Sequence, residues 1–150
     1  MDTIKLAKLN LPSYKFTFKS IEGKLYILDE IRSQYVFLTP EEWVRQNLVM
    51  YLITHQKYPK SFFSLESSIN SKNSKRCDII IYNKDMSAFM LIECKNSKIK
   101  INEKVLIQSS KYNLIVKAKY MVISNGLNHY IFEANYKNNG FMQLDNFPLY

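Results

Sequence analysis

The sequence predicts an α/β fold (α+β in some schemes) in which strands pack around two helices within one globular domain of 150 residues. Three features lead there. Ile79-Ile80-Ile81 and Phe89-Met90-Leu91-Ile92 are apolar runs without alternation, the pattern of central strands covered on both faces. Thr39-Pro40-Glu41-Glu42 spells a helix start, with Thr as N-cap, Pro at the first helical position and Glu three residues after the cap. Asn102 offers a second N-cap, ahead of a helix reaching to about residue 117.

In chain order, residues 14–19 alternate apolar and polar with Tyr14, Phe16 and Phe18 on one side, residues 20–23 turn, and residues 24–28 resume. That is a hairpin signal. Residues 29–34 are polar, and 35–38 form a short apolar run into the first helix, expected over 40–55 ahead of the break at Pro59. A strand is expected over 62–69, followed by a polar loop of Asn, Ser and Lys over 70–75. The two central strands come next, at 76–82 and 88–95, joined by Asn83-Lys84-Asp85-Met86-Ser87. After the second helix stand a strand over 120–124, a turn at Asn125-Gly126, a strand over 129–133 and a last short strand over 141–144. The organisation is an N-terminal extension with a β-hairpin (1–38) leading into a core with C-terminal strands (39–150).

Twenty-one Lys+Arg against thirteen Asp+Glu give a formal charge of +8, so the summed field attracts polyanions, nucleic acid first among them. Only three glycines occur, and none forms the G-x-x-x-x-G-K or G-x-G-x-x-G loop that cradles phosphates. A P-loop motor and a Rossmann dinucleotide enzyme are thereby excluded. Cys77 and Cys94 both sit inside apolar runs, where cysteine behaves as a small buried hydrophobe, and a reduced, cytoplasmic setting is expected. No stretch approaches the ~18 apolar residues of a membrane span. His55 and His129 lack the partner spacing of a zinc site.

The chemistry lies where Asp78 opens one central strand and Glu93-Cys94-Lys95 closes the next. Side chains alternate along a strand, so Glu93 and Lys95 share a face while Cys94 points to the other. With a four-residue loop at 84–87, Asn83 pairs with Ala88, and counting outward sets Ile80 against Leu91 and Asp78 against Glu93. Directly opposed residues have Cβ atoms about 4.5–5.5 Å apart, so two carboxylates there need a positive charge. Lys95 supplies part of it. Two hard oxygen ligands with open positions for water and phosphate are what Mg²⁺ (or Mn²⁺) selects. Such an ion polarises a phosphodiester oxygen and acidifies a bound water, with Lys95 placed to position that water or neutralise developing charge. The same spelling at Glu22-Gly23-Lys24 falls in a polar turn, where solvated charges need no explanation. An inert Glu-Lys-Asp ion network is the plain alternative for the central set.

In the order helix with Glu, strand, Asp strand, Glu-x-Lys strand, helix, strand, residues 39–126 resemble the PD-(D/E)XK nuclease superfamily. Within it they resemble the nuclease-domain family of type I restriction enzyme R (HsdR) subunits. The resemblance implies a restriction-endonuclease-like central mixed sheet flanked by two main helices. It implies Asp78 and Glu93 as metal ligands, joined by the Cys94 carbonyl, and Lys95 as the catalytic lysine. The family's Pro before the aspartate is Cys77 here, a departure that costs no ligand. The family also draws a glutamate from the first helix. At about 100° per residue, Glu41 shares the side of Val44, Leu48, Tyr51 and Leu52, while Glu42 falls nearly opposite Val44 and suits the capping box. Glu41 is therefore the expected participant.

In the second helix Gln108 and Tyr112 are spaced i, i+4 and lie on one face. Gln-x-x-x-Tyr resembles a motif found after the Glu-x-Lys strand in this superfamily, where it orients the active site or the nucleic acid; an aromatic at the edge of a packing face is the plain alternative. Lys98, Lys100 and Lys104 follow Lys95, while Lys72, Lys75 and Arg76 precede Asp78. Both runs suit phosphate contacts, which set affinity rather than sequence choice. The expectation is Mg²⁺- or Mn²⁺-dependent phosphodiester hydrolysis of DNA by a restriction-type nuclease domain, with DNA and other restriction-system subunits as partners and no membrane. The alternative is a non-catalytic nucleic-acid-binding or assembly domain that retains the nuclease fold.

Overall fold

The computed structural model describes residues 5–70 and 73–150, and their side chains outside 67–70 and 73–75. Near the N-terminus, β1 (Phe18–Ile21), β2 (Lys24–Asp29) and β3 (Gln34–Phe37) form an antiparallel meander. Glu22 (φ 49°) and Gly23 (φ 75°) both take the left-handed conformation, the geometry that matches a two-residue turn to strand twist. The first strand starts at Phe18 rather than residue 14, because the aromatics before it pack elsewhere. Phe16 lies edge-on to Trp43 with centroids 5.2 Å apart, and the Tyr14 hydroxyl is 2.7 Å from His55 Nδ1. The run at 35–38 contributes a third strand, so the expected hairpin is a three-stranded sheet.

Helix α1 (Pro40–Thr54) begins as its start signal predicts, with the Thr39 hydroxyl accepting the Glu42 amide at 3.0 Å. Val44, Leu48 and Leu52 form its fully buried stripe. A short 3₁₀ turn (Lys60–Phe62) then leads into a six-stranded sheet of β4 (Phe63–Asn70), β5 (Asn73–Tyr82), β6 (Ala88–Cys94), β7 (Tyr120–Ser124), β8 (His129–Asn135) and β9 (Gly140–Leu144), in that spatial order. Only β6 and β7 run parallel, and α2 (Glu103–Val116) makes the crossover that parallel neighbours require.

The segment expected as a loop at 70–75 is largely paired, because β4 extends to Asn70 and β5 starts at Asn73. Its Ser, Asn and Lys residues read as a loop by composition, yet a hairpin arm beyond the core needs only backbone pairing. Between β5 and β6, Ile80 opposes Leu91 as counted, but Tyr82 rather than Asn83 opposes Ala88. A bulge between Ile81 and Tyr82 absorbs the difference.

Both faces of the central strands are covered. Ile79, Ile81, Met90, Ile92 and Cys94 pack with Val44, Leu48 and Leu52 of α1. Cys77, Ile80 and Leu91 pack with Ala118 and with Tyr112 and Val116 of α2. Asn102 caps α2 by accepting the Val105 amide at 3.1 Å. At the other end Lys117 turns left-handed (φ 55°), and the Asn113 side chain accepts the Ala118 amide at 2.9 Å, steering the chain into β7. Among the described residues no helix is long and apolar enough to cross a membrane.

Candidate active site

Continuing the β5–β6 register one step beyond Ile79–Ile92 sets Asp78 against Glu93, so two strands deliver their acids to one end of the sheet. Asp78 is held twice: Oδ1 accepts Nη2 of Arg45 at 2.5 Å, and Oδ2 accepts the Cys94 amide at 2.8 Å. Glu93 accepts Lys95 Nζ on Oε1 at 3.0 Å. Burial first, and then the Asp78 charge, push the Glu93 carboxyl up to about 7, while Lys95 pulls it back. At Lys95 burial favours the neutral amine, but Glu93, Glu41 and Asp78 together outweigh it and hold the ammonium above its ordinary pKa.

Glu41 joins from the first turn of α1. It is half-buried, and its carboxyl is raised by burial and then by Asp78, against the opposing pull of Lys95 and Arg45. Asp78, Glu93, Lys95 and Glu41 are thus brought together. The Cys94 thiol lies in the α1-side core and is held far above its ordinary pKa by burial and then Asp78, while the backbone amide of that residue donates to Asp78.

Glu42 departs from its expected place. The helical wheel sets it nearly opposite Val44 in the capping-box role, and its amide does bond Thr39, yet its side chain is buried, at 7% exposed. Its carboxylate accepts Arg32 Nη2 at 3.0 Å, Arg45 Nη1 at 2.5 Å and Gln46 Nε2 at 2.8 Å. The cause is the N-terminal sheet, whose β2–β3 turn covers that flank. Asp29 there accepts Arg32 Nε at 2.5 Å and Gln46 Nε2 at 3.0 Å, joining the two layers by a buried ionic network.

Two residues of this cluster escape the sequence reading. Arg45 is 4% exposed and touches three carboxylates, those of Glu42, Asp78 and Glu66. Its one sequence signal is the i, i+3 and i, i+4 spacing to Glu42 and Glu41. Glu66, on β4, carries no signal of its own.

The remaining candidates lie around the cluster. Tyr112 packs on Cys77, Ile80 and Leu91, and Gln108 is exposed one turn earlier. Lys98 is exposed and lines a cleft of about 160 Å³ with Lys5, Thr39, Pro40, Trp43 and Asn96, beside the start of α1. Lys100 and Lys104 are exposed, as is Arg76, which opposes Ser68 in the β4–β5 arm. Lys72 and the side chain of Lys75 lie outside the described residues.

The donor set fits a divalent ion of the open type. Among the described residues no group of three or more His, Cys, Asp or Glu is placed to hold a metal ion, but Mg²⁺ is held by one or two carboxylates, with water and phosphate oxygens completing its shell. The burial and the Asp78 charge that lift Glu93 to about 7 are what a divalent charge would offset. Each carboxylate oxygen named here retains a lone pair beyond its protein bond.

A fragment described as an HsdR subunit of a type I restriction enzyme from Vibrio vulnificus YJ016 is similar over 59% of this chain and 18% of its own length, at 21% identity and a TM-score of 0.39. No curated protein matches the chain. The family profile of the type I restriction enzyme R protein N terminus matches residues 40–148, a span that takes in α1, the whole six-stranded sheet and all four grouped residues. The chain belongs to the family of type I restriction enzyme R protein N-terminal domains.

Proposed function

We propose that this chain is a PD-(D/E)XK-type nuclease domain that hydrolyses DNA phosphodiester bonds with Mg²⁺ or Mn²⁺, acting in the cytoplasm beside other restriction-system subunits. The observation that carries this is the meeting of Asp78, Glu93, Lys95 and Glu41 at one sheet end, from three elements. An ion held by Asp78, Glu93 and the Cys94 carbonyl would supply Lewis-acid polarisation of the phosphate and an acidified water. Lys95 keeps its proton among these acids, so its role is to stabilise negative charge building on the phosphate. Glu41 is half-buried next to it and accepts a hydrogen bond from the attacking water. Exposed Lys98 and Arg76, with Lys75, contact backbone phosphates, and Gln108 and Tyr112 orient the site or the strand.

One observation favours a second reading, a DNA-binding or assembly domain without turnover. Arg45 and Lys95 already pair Asp78 and Glu93, so the acids are partly satisfied without an ion. Cleavage assays on linear and circular DNA, with Mg²⁺, Mn²⁺ or chelator, decide between them. Metal-dependent cleavage lost in Asp78→Asn, Glu93→Gln and Lys95→Gln, with melting curves showing folded variants, is the expected result. Equal cleavage by the wild type and all three variants overturns the assignment. DNA retention without cleavage under every divalent ion supports the second reading.

A further inference from the structure

Glu66 sits in the register between the pairs Leu65–Ile79 and Ser67–Cys77, which places it opposite Asp78. Its φ is +55°, a left-handed conformation that is uncommon for a residue with a Cβ and that clusters at functional sites. Its Oε1 lies 2.5 Å from Nη2 of Arg45, the same nitrogen that lies 2.5 Å from Oδ1 of Asp78. One guanidinium nitrogen is therefore divided between an acid of β4 and an acid of β5. The other, Nη1, is held by Glu42, and the buried Nε has no partner among the described residues. Among the described residues the polar partners of the guanidinium are thus its three acids.

A guanidinium resting wholly on Asp78 neutralises that carboxylate and takes an oxygen that a divalent ion needs. Shared with Glu66, it orients Asp78 while leaving more of its charge available. We infer that Glu66 is a positioning residue of the acid cluster, which draws Arg45 toward β4 and so sets how strongly Asp78 and Glu93 take a divalent ion; this rests on the nuclease reading above.

The test is Mn²⁺ affinity by titration calorimetry, with no DNA present, on the full chain. Glu66→Gln and Glu66→Gly are expected to weaken Mn²⁺ binding about tenfold, the scale seen when supporting partners of metal ligands are removed. Melting curves check that both variants fold: glycine eases a φ of +55°, while loss of the carboxylate leaves Arg45 two acids instead of three, so a modest drop is expected. In an Arg45→Lys background, where a point charge replaces the fork, Glu66→Gln has little further effect. Wild-type binding with unchanged affinity in both Glu66 variants overturns this inference alone, and equal loss in both backgrounds overturns action through Arg45. A wild type that binds no Mn²⁺ overturns both this and the nuclease reading. Should Arg45→Lys not fold, the side-chain nitrogen resonances of Arg45 decide instead: they shift in Glu66→Gln if the inference holds and stand still if it fails.

Discussion

Nη2 of Arg45 stands 2.5 Å from Oδ1 of Asp78 and ties α1 to β5 beneath the acid cluster. Both groups are buried, so the pair contributes to folding as well as to any chemistry. Asp78→Ala leaves a buried guanidinium with two partners instead of three and strips the acceptor from the Cys94 amide. Breaking a buried pair costs about 3–5 kcal/mol, and the remaining partners place this one near the lower end. Urea unfolding is expected to show a loss of about 3 kcal/mol for Asp78→Ala and a smaller loss for Asp78→Asn, which keeps an acceptor. An alanine variant as stable as the wild type would contradict the network.

The raised Glu93 carboxyl makes stability depend on pH. The folded group keeps its proton up to about pH 7, against an ordinary value of 4.5. The folded chain therefore binds more protons between these values, and stability falls as pH rises through the window. The full effect is capped at about 3 kcal/mol by the size of the shift. Glu93→Gln should flatten the profile and exceed the wild type in stability near pH 8 but not near pH 5, as read from urea midpoints. A wild type whose stability rises steadily from pH 5 to pH 8 would rule out this source of strain.

The parts of the site that were legible in the sequence owe this to short-range periodicity. Asp78, Glu93 and Lys95 sit on apolar strands joined by a short loop, so alternation and register counting were enough to bring them together, despite the bulge at Ile81/Tyr82. Thr39 and Asn102 are equally local, since a cap bonds an amide three residues away. Arg45 and Glu66 were not legible because their bonds join separate elements, and a cation that meets acids across the fold leaves no spacing pattern. Glu42 failed for a related reason. A helical wheel shows which flank faces the sheet, but the second flank was covered by the β2–β3 turn, whose docking through Asp29 and Arg32 no wheel can show.

Divalent ions should stabilise the chain and displace a proton. An ion at a hundredfold excess over its Kd adds about 2.7 kcal/mol to stability, seen as a raised melting temperature that chelator reverses. Near pH 6 the Glu93 carboxyl is mostly protonated and must ionise to act as a ligand, so binding releases close to one proton. Calorimetry of Mn²⁺ binding in two buffers of different ionisation enthalpy measures that number directly. Glu93→Gln is expected to lose the release, and equal release by wild type and variant would place the displaced proton elsewhere.

The N-terminal segment is clamped to the β7–β8 connection, with Gly126 as its tightest point of contact. Its carbonyl accepts the Asn10 amide at 2.8 Å, its φ is +81°, and a Cβ built there would stand 2.7 Å from Leu9 Cδ2 and 3.2 Å from Val44 Cγ2. Leu9 can move as the tip of a flexible side chain, but Val44 belongs to the fully buried stripe of α1, and the left-handed backbone penalises any side chain. Gly126→Ala should therefore cost about 1–3 kcal/mol and loosen residues 5–12, which are also held by the Trp43 indole donating to the Ala7 carbonyl at 2.9 Å and by weaker contacts of Asn10 with Leu127 and His129, each at 3.4 Å. Hydrogen exchange at the Asn10 amide reports the loosening, and limited proteolysis near Leu9 should quicken with it. Undiminished protection at Asn10 in a Gly126→Ala variant of wild-type stability would show that Leu9 yields without cost and that the clamp does not depend on Gly126.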